Sequence, residues 1–178
     1  MKLASNPLRA LPAFMLMAAL PVPAAAFDMN SDLPIRITAD SARLDDNQGT
    51  AIYRGNVDVR QGEVQLTADR VDVFRGADGL DRIHARGRPA TYDRPATPTE
   101  GPVHAEALEI HYSAAENLLR FEKQAVVEQG QDEFRGAVIL YDTANRIVTG
   151  EGRTDSGEGS GRVEMVIQPR GSNSSDGN

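Results

Sequence analysis

The chain has no cysteine and no tryptophan. It therefore draws no stability from disulfides and has no thiol to carry a lipid anchor. Aromatic residues are sparse, with 5 Phe and 4 Tyr, so Val, Ile and Leu must fill any interior. After residue 26 no apolar run approaches the roughly twenty residues that span a bilayer as a helix. The remainder is expected to be soluble. Positive charge is in deficit, with a formal net charge of −7. That balance argues against generic binding of nucleic acid or anionic membrane surfaces. Catalytic signatures are missing as well: there is no Gly-x-Ser-x-Gly elbow, phosphate-binding loop or dinucleotide fingerprint.

What is present begins with a leader. Lys2 and Arg9 make a positive start, and Leu11 to Leu20 is apolar apart from Pro12. Pro21-Val22-Pro23 breaks that run, and Ala24-Ala25-Ala26 offers small residues for cleavage. Residues 1–26 read as a cleavable export signal cut near Ala26, since the apolar stretch is too short for a retained anchor. The rest amounts to one domain.

Thr50 to Val73 sets the pattern for the whole chain. Tyr53, Val57 and Val59 share one parity, opposite Arg54, Asn56, Asp58 and Arg60. After Gln61-Gly62, Val64, Leu66 and Ala68 alternate with Gln65 and Thr67; after Asp69-Arg70, Val71 and Val73 flank Asp72. Strand side chains alternate between faces, so this predicts three short strands with one apolar and one wet face. Gly55 inside the pattern marks a bulge.

The same grammar runs in both directions. Pro34 to Asp40 predicts a first strand continuing through Leu44, with Ile35, Ile37 and Ala39 in phase. Leu80 to Arg88 predicts another, followed by extended Pro89 to Tyr92 and an irregular, proline-bearing loop over Asp93 to Pro102. Val103 to Tyr112 alternates with Leu108, Ile110 and Tyr112 on one face. Phe121, Ala125 to Glu128, Phe134, Ala137 to Tyr141 and Arg146 to Thr149 continue the series. The halves are copies. Asn56 to Gly62 corresponds to Gln124 to Gly130 at an offset of 68, which also aligns Leu66 with Phe134 and Val71-Asp72-Val73 with Ile139-Leu140-Tyr141. Ile83 to Arg88 corresponds to Val148 to Arg153. Repeated short strands mean an all-β stacked or rolled architecture. The expected division is a β domain over 27–153, a flexible Gly/Ser segment over 154–161, an edge strand over 162–169 and a disordered tail over 170–178.

Chemistry finds few footholds. His84, His104 and His111 lie on wet faces of different strands, and His104 and His111 differ in parity. They read as surface histidines rather than a zinc site. Asp45-Asp46 and Glu106/Glu109 read as turn and solvated-face residues rather than paired glycosidase carboxylates. No cofactor or metal is expected. The apolar face admits two readings: an ordinary filled core, or an open-ended roll lined to hold an apolar ligand. A carbohydrate-active enzyme on a jellyroll ranks well below either.

Several runs carry a resemblance. Pro34 to Asp40, Tyr53 to Gly62, Ala68 to Val73, Gly87-Arg88-Pro89-Ala90-Thr91-Tyr92, Gly101 to Ala105 and His111-Tyr112 are similar, in that order, to the OstA-like organic-solvent-tolerance family of periplasmic lipopolysaccharide transport proteins. The resemblance implies an open-ended twisted β-jellyroll built from two repeats of short antiparallel strands, with no enzymatic activity. It implies a periplasmic bridge that holds lipopolysaccharide acyl chains in an apolar groove. Ile35, Ile37, Tyr92 and Tyr112 match family groove positions; Tyr53, Val57, Val59, Leu66, Val71, Leu108, Ile110, Phe121 and Phe134 are expected to share that wall. It implies head-to-tail assembly through terminal strands. An inner-membrane-anchored, LptC-like jellyroll would dock at the N-terminal edge, on Ile35, Arg36, Ile37 and Ala39. An outer-membrane, LptD-like jellyroll would dock at the C-terminal edge, on Val163, Met165 and Ile167. The alternative is a periplasmic β scaffold that binds no ligand.

Overall fold

The computed structural model describes residues 33–77, 79–98, 100–152 and 162–168. The expected export signal, flexible Gly/Ser segment and disordered tail lie outside these residues. Ten strands and no helix are described: β1 (Arg36–Thr38), β2 (Ser41–Asp45), β3 (Thr50–Gln61), β4 (Val64–Gly76), β5 (Gly79–Arg94), β6 (Val103–Ser113), β7 (Leu118–Gln129), β8 (Asp132–Asp142), β9 (Ile147–Glu151) and β10 (Glu164–Val166). All ladders are antiparallel. The sheet runs β1-β3-β4-β5-β6-β7-β8-β10, with β2 also beside β3 and β9 also beside β8. It is not closed.

The six central strands are long, not short. Asp69-Arg70 is no turn; it lies within β4, where the inward set changes from Val64, Leu66 and Ala68 to Val71 and Val73. Likewise β5 runs through Pro89, and its inward set changes from Ile83 and Ala85 to Ala90 and Tyr92. The expected first strand is conversely two, β1 and β2, separated at Ala39-Asp40. Each such change is a register irregularity. They fall between Arg54 and Val57, Thr67 and Arg70, Arg86 and Ala90, Glu106 and Glu109, and Glu122 and Ala125.

Register places these five interruptions side by side across the sheet, making one crease. A bulge bends its strand and increases local twist, so a row of them folds the sheet into two leaves. Tyr92 of β5 meets Phe121 of β7 across the fold, ring centroids 6.2 Å apart. The apolar faces of both leaves form one buried cluster.

The offset of 68 is exact in the backbone. Gly55 and Asn56 in β3 have φ of 76° and 45°, and Lys123 and Gln124 in β7 have 64° and 61°. The turn glycines Gly62 and Gly130 match at 60° and 65°. Register extends the copy beyond the aligned sequence. Ile37 faces Val59 as Ala105 faces Val127, so β1 and β2 are a broken copy of β6. Tyr92 faces Leu66 as Met165 faces Phe134, so β9 and β10 are a broken copy of β5.

Candidate functional site

The apolar interior is the largest common surface of the expected site residues. Val57, Val59, Leu66, Val71, Tyr92, Ile110, Tyr112, Phe121 and Phe134 all sit in the buried cluster. Ile35, Ile37, Ala39 and Tyr53 pack against it, half-buried. Leu108 does not join them. The β6 frame slips between Glu106 and Glu109, so Ala107 and Ile110 point inward and Leu108 points out. It lines an outer pocket with Arg88, Pro89 and Gln124. Its apolar alternation with Ile110 and Tyr112 breaks at the crease.

The interior is apolar. Burial pushes the Tyr92 hydroxyl far above its ordinary value, helped by Tyr141. Burial also raises the Tyr141 hydroxyl, with Arg94 pulling the other way. An ionised group is disfavoured in such a medium, which suits it to hydrocarbon.

One charge is nonetheless inside, and the sequence reading missed it. Arg94 ends β5 on the inward parity of Tyr92 and is 3% exposed. Its Nη1 lies 2.9 Å from Glu100, and its Nη2 donates to the Gly101 carbonyl at 3.2 Å. Glu100 also takes Arg146 from the β8–β9 turn at 3.0 Å. The proline-bearing loop thus bridges the free ends of the two leaves, and the Pro102 carbonyl accepts from the Gly130 amide. The only hint in the sequence was an arginine in apolar phase beside a loop glutamate.

At both ends of the sheet the interior surface comes into the open. Leu44 on β2 is 58% exposed, and Met165 on β10 is 51%. Leu33, Val163 and Ile167 are exposed there too. β1 and β10 stand at opposite ends of the strand order. Each therefore has one side without a partner strand among the described residues.

The comparisons bear on this geometry. A family model described as LptA/(LptD N-terminal domain) LPS transport protein matches residues 36–147. The chain belongs to this family. The lipopolysaccharide export system protein LptH of Pseudomonas aeruginosa is 38% identical over 150 residues, covering 83% of this chain and 86% of that protein. LptA of Escherichia coli is 32% identical over 122 residues, 67% of this chain and 65% of that one. A stretch of 60 residues is 45% identical to the LPS-assembly protein LptD of Pasteurella multocida, 8% of that protein's length. The crystal structure of LptH from P. aeruginosa superposes with a TM-score of 0.72 at 39% identity, covering 77% of this chain and 96% of that one. The LptA family architecture is the open β-jellyroll, and this chain has it.

The histidines lie on the outer face, as expected, but the frame slip in β6 puts His104 and His111 on the same side despite their differing parity. His104 is on the outer face, its Nδ1 2.6 Å from Asp93. His84 and His111 are register partners on β5 and β6 and stack 3.9 Å apart. Parity along single strands could not reveal that pairing across two.

Proposed function

We propose that this chain is a periplasmic bridge that carries lipopolysaccharide from the inner to the outer membrane. It holds the acyl chains against the inward wall of the two leaves and joins other jellyrolls end to end. The observation that carries the reading is an apolar interior that surfaces at both open ends of an unclosed sheet. Family membership supports the cargo. Burying apolar area is worth about 25 cal/mol per Å², so acyl chains suffice for affinity without a phosphate clamp. To admit them the leaves must part, most readily along the free ends that Glu100 links. A photocrosslinker at Tyr112 should capture lipopolysaccharide, whereas one at Asp58 or Leu108, on the outer face, should not. Equal labelling inside and out would refute the groove. Lipid extraction of the purified protein separates this reading from a filled scaffold, which would yield no glycolipid.

The ends take the partners. β1, with Ile35, Arg36, Ile37 and Ala39, receives the inner-membrane-anchored jellyroll. β10, with Val163, Met165 and Ile167, adds to the outer-membrane jellyroll or to a second copy. Such a heterologous contact does not close. Removing residues 162–178 should leave a folded monomer. Sedimentation at high concentration checks this: oligomers like those of the full chain would defeat the edge-to-edge scheme. Ile37→Pro, which deletes a ladder donor, should abolish docking at the other end.

A further inference from the structure

The outer face carries a cluster that the transport reading does not use. His84 Nε2 lies 3.6 Å from Glu109 Oε2, and His111 Nε2 lies 3.7 Å from the same oxygen. One ligand atom from each residue falls within 4.8 Å of the others. Both Nε2 atoms are buried and make no hydrogen bond. Buried polar atoms normally find a partner, so two orphans aimed at one carboxylate oxygen need an explanation. Lys123 Nζ holds the other carboxylate oxygen, Oε1, at 2.9 Å, which fixes the glutamate and leaves Oε2 to the histidines.

From these atoms we infer that His84, His111 and Glu109 form a binding site for a zinc-class divalent metal. Two imidazoles and a carboxylate are a zinc ligand set, and metal–ligand distances of about 2.0–2.2 Å place tetrahedral ligands roughly 3.3 Å apart. The two histidine-to-carboxylate separations, 3.6 and 3.7 Å, need only a small contraction. The rings are stacked at 22° to each other, so both must turn well out of the stack about χ2 before their in-plane lone pairs converge on one metal. A fourth position opens toward a 270 Å³ pocket walled by Phe74, Arg82, Leu118 and Arg120. Lys123 on Glu109 supplies the orienting contact that metal-binding carboxylates commonly have. A further rearrangement is required. Arg86 Nη2 lies 2.9 Å from His84 Nδ1. When Nε2 takes the metal, the imidazole proton moves to Nδ1 and Arg86 swings aside toward Asp72, its other partner at 3.2 Å. Nitrogen ligands favour zinc over calcium or magnesium, which seek oxygen. The bound ion would pin β5 to β6 on the face opposite the apolar interior, so the site stands apart from the cargo reading.

Equilibrium dialysis of the untagged chain against zinc chloride tests this, with circular dichroism to check that each variant folds. One zinc should bind per chain and raise Tm, since a ligand of the native state stabilises it. His84→Ala and His111→Ala should each weaken binding at least tenfold. His104→Ala should leave it unchanged, and Arg86→Ala should bind at least as tightly as the parent. Excess calcium should not compete. Absence of saturable binding overturns the site. So does undiminished binding in a folded His84→Ala/His111→Ala variant, weaker binding in Arg86→Ala, or displacement by calcium.

Discussion

Tyr92 and Met165 occupy the same place in two copies of one strand, yet Tyr92 is 0% exposed and Met165 51%. Tyr112 and Leu44 repeat the contrast on the other leaf, at 2% and 58%. In each pair the inner copy has strands on both sides, while the outer copy ends the sheet. An apolar side chain in this fold is thus not core or surface by its own nature. Its position along the stack decides, and the terminal copies are left wanting a neighbour. An exposed, unblocked edge invites another strand.

The largest test of that contrast is stability against association. Tyr92→Ala should cost about 3–5 kcal/mol in urea unfolding, as for other large buried aromatics. Met165→Ala should cost under about 0.5 kcal/mol in the monomer, yet weaken self-association in sedimentation. Similar losses of stability would erase the distinction between inner and outer copies.

The two bulges come next. In the first copy Gly55 is forced: its φ is +76°, and an added Cβ would lie 2.9 Å from Asp40 Cβ and closer still to Oδ2. Asp40 also donates its amide to the Gly55 carbonyl and accepts from Asn56 Nδ2. Gly55→Ala should therefore cost about 2–3 kcal/mol in denaturant unfolding, joining left-handed strain to a clash. In the second copy the same backbone is made from Lys123 and Gln124, both exposed. Here glycine should help. Gln124→Gly should add about 1 kcal/mol, a rise in Tm of about 2–4 °C by calorimetry.

The smallest effect is electrostatic. His104 in β6 stands where Arg36 stands in β1. Its hydrogen bond to Asp93 raises its pKa above the ordinary 6.5, against some desolvation. A raised folded-state value stabilises below the unfolded one, and the benefit fades as pH rises through the folded value. Since the side chain is 41% exposed, solvent screens most of it. His104→Gln should be slightly less stable than the parent below pH 6.5 and equal at alkaline pH. A difference that grows with pH would reverse the assignment.

Much of this architecture is written in the chain. The apolar alternation and the offset of 68 were legible because an inward face demands both, and Gly55 announced its bulge. Strand lengths were not. Asp69-Arg70 looks like a turn because a bulge and a turn both interrupt alternation, and only pairing separates them. Leu108 keeps step with Ile110 in sequence but not in space, because the frame slips between Ala107 and Ile110. Arg94 and the His84–His111 stack depend on what lies opposite, across a leaf or a ladder.

From β3 to β8 each strand pairs with the next, and each ladder closes through a short connection. Short connections keep the entropy of closing each ladder small. β10 is the exception. It reaches past β9 to pair with β8 through three residues, Glu164 to Val166, and must close the chain from Glu151 onward before gaining them. It should arrive last and leave first. Amide protection should therefore fade toward that end, with β10 exchanging its amide hydrogens before the central strands do.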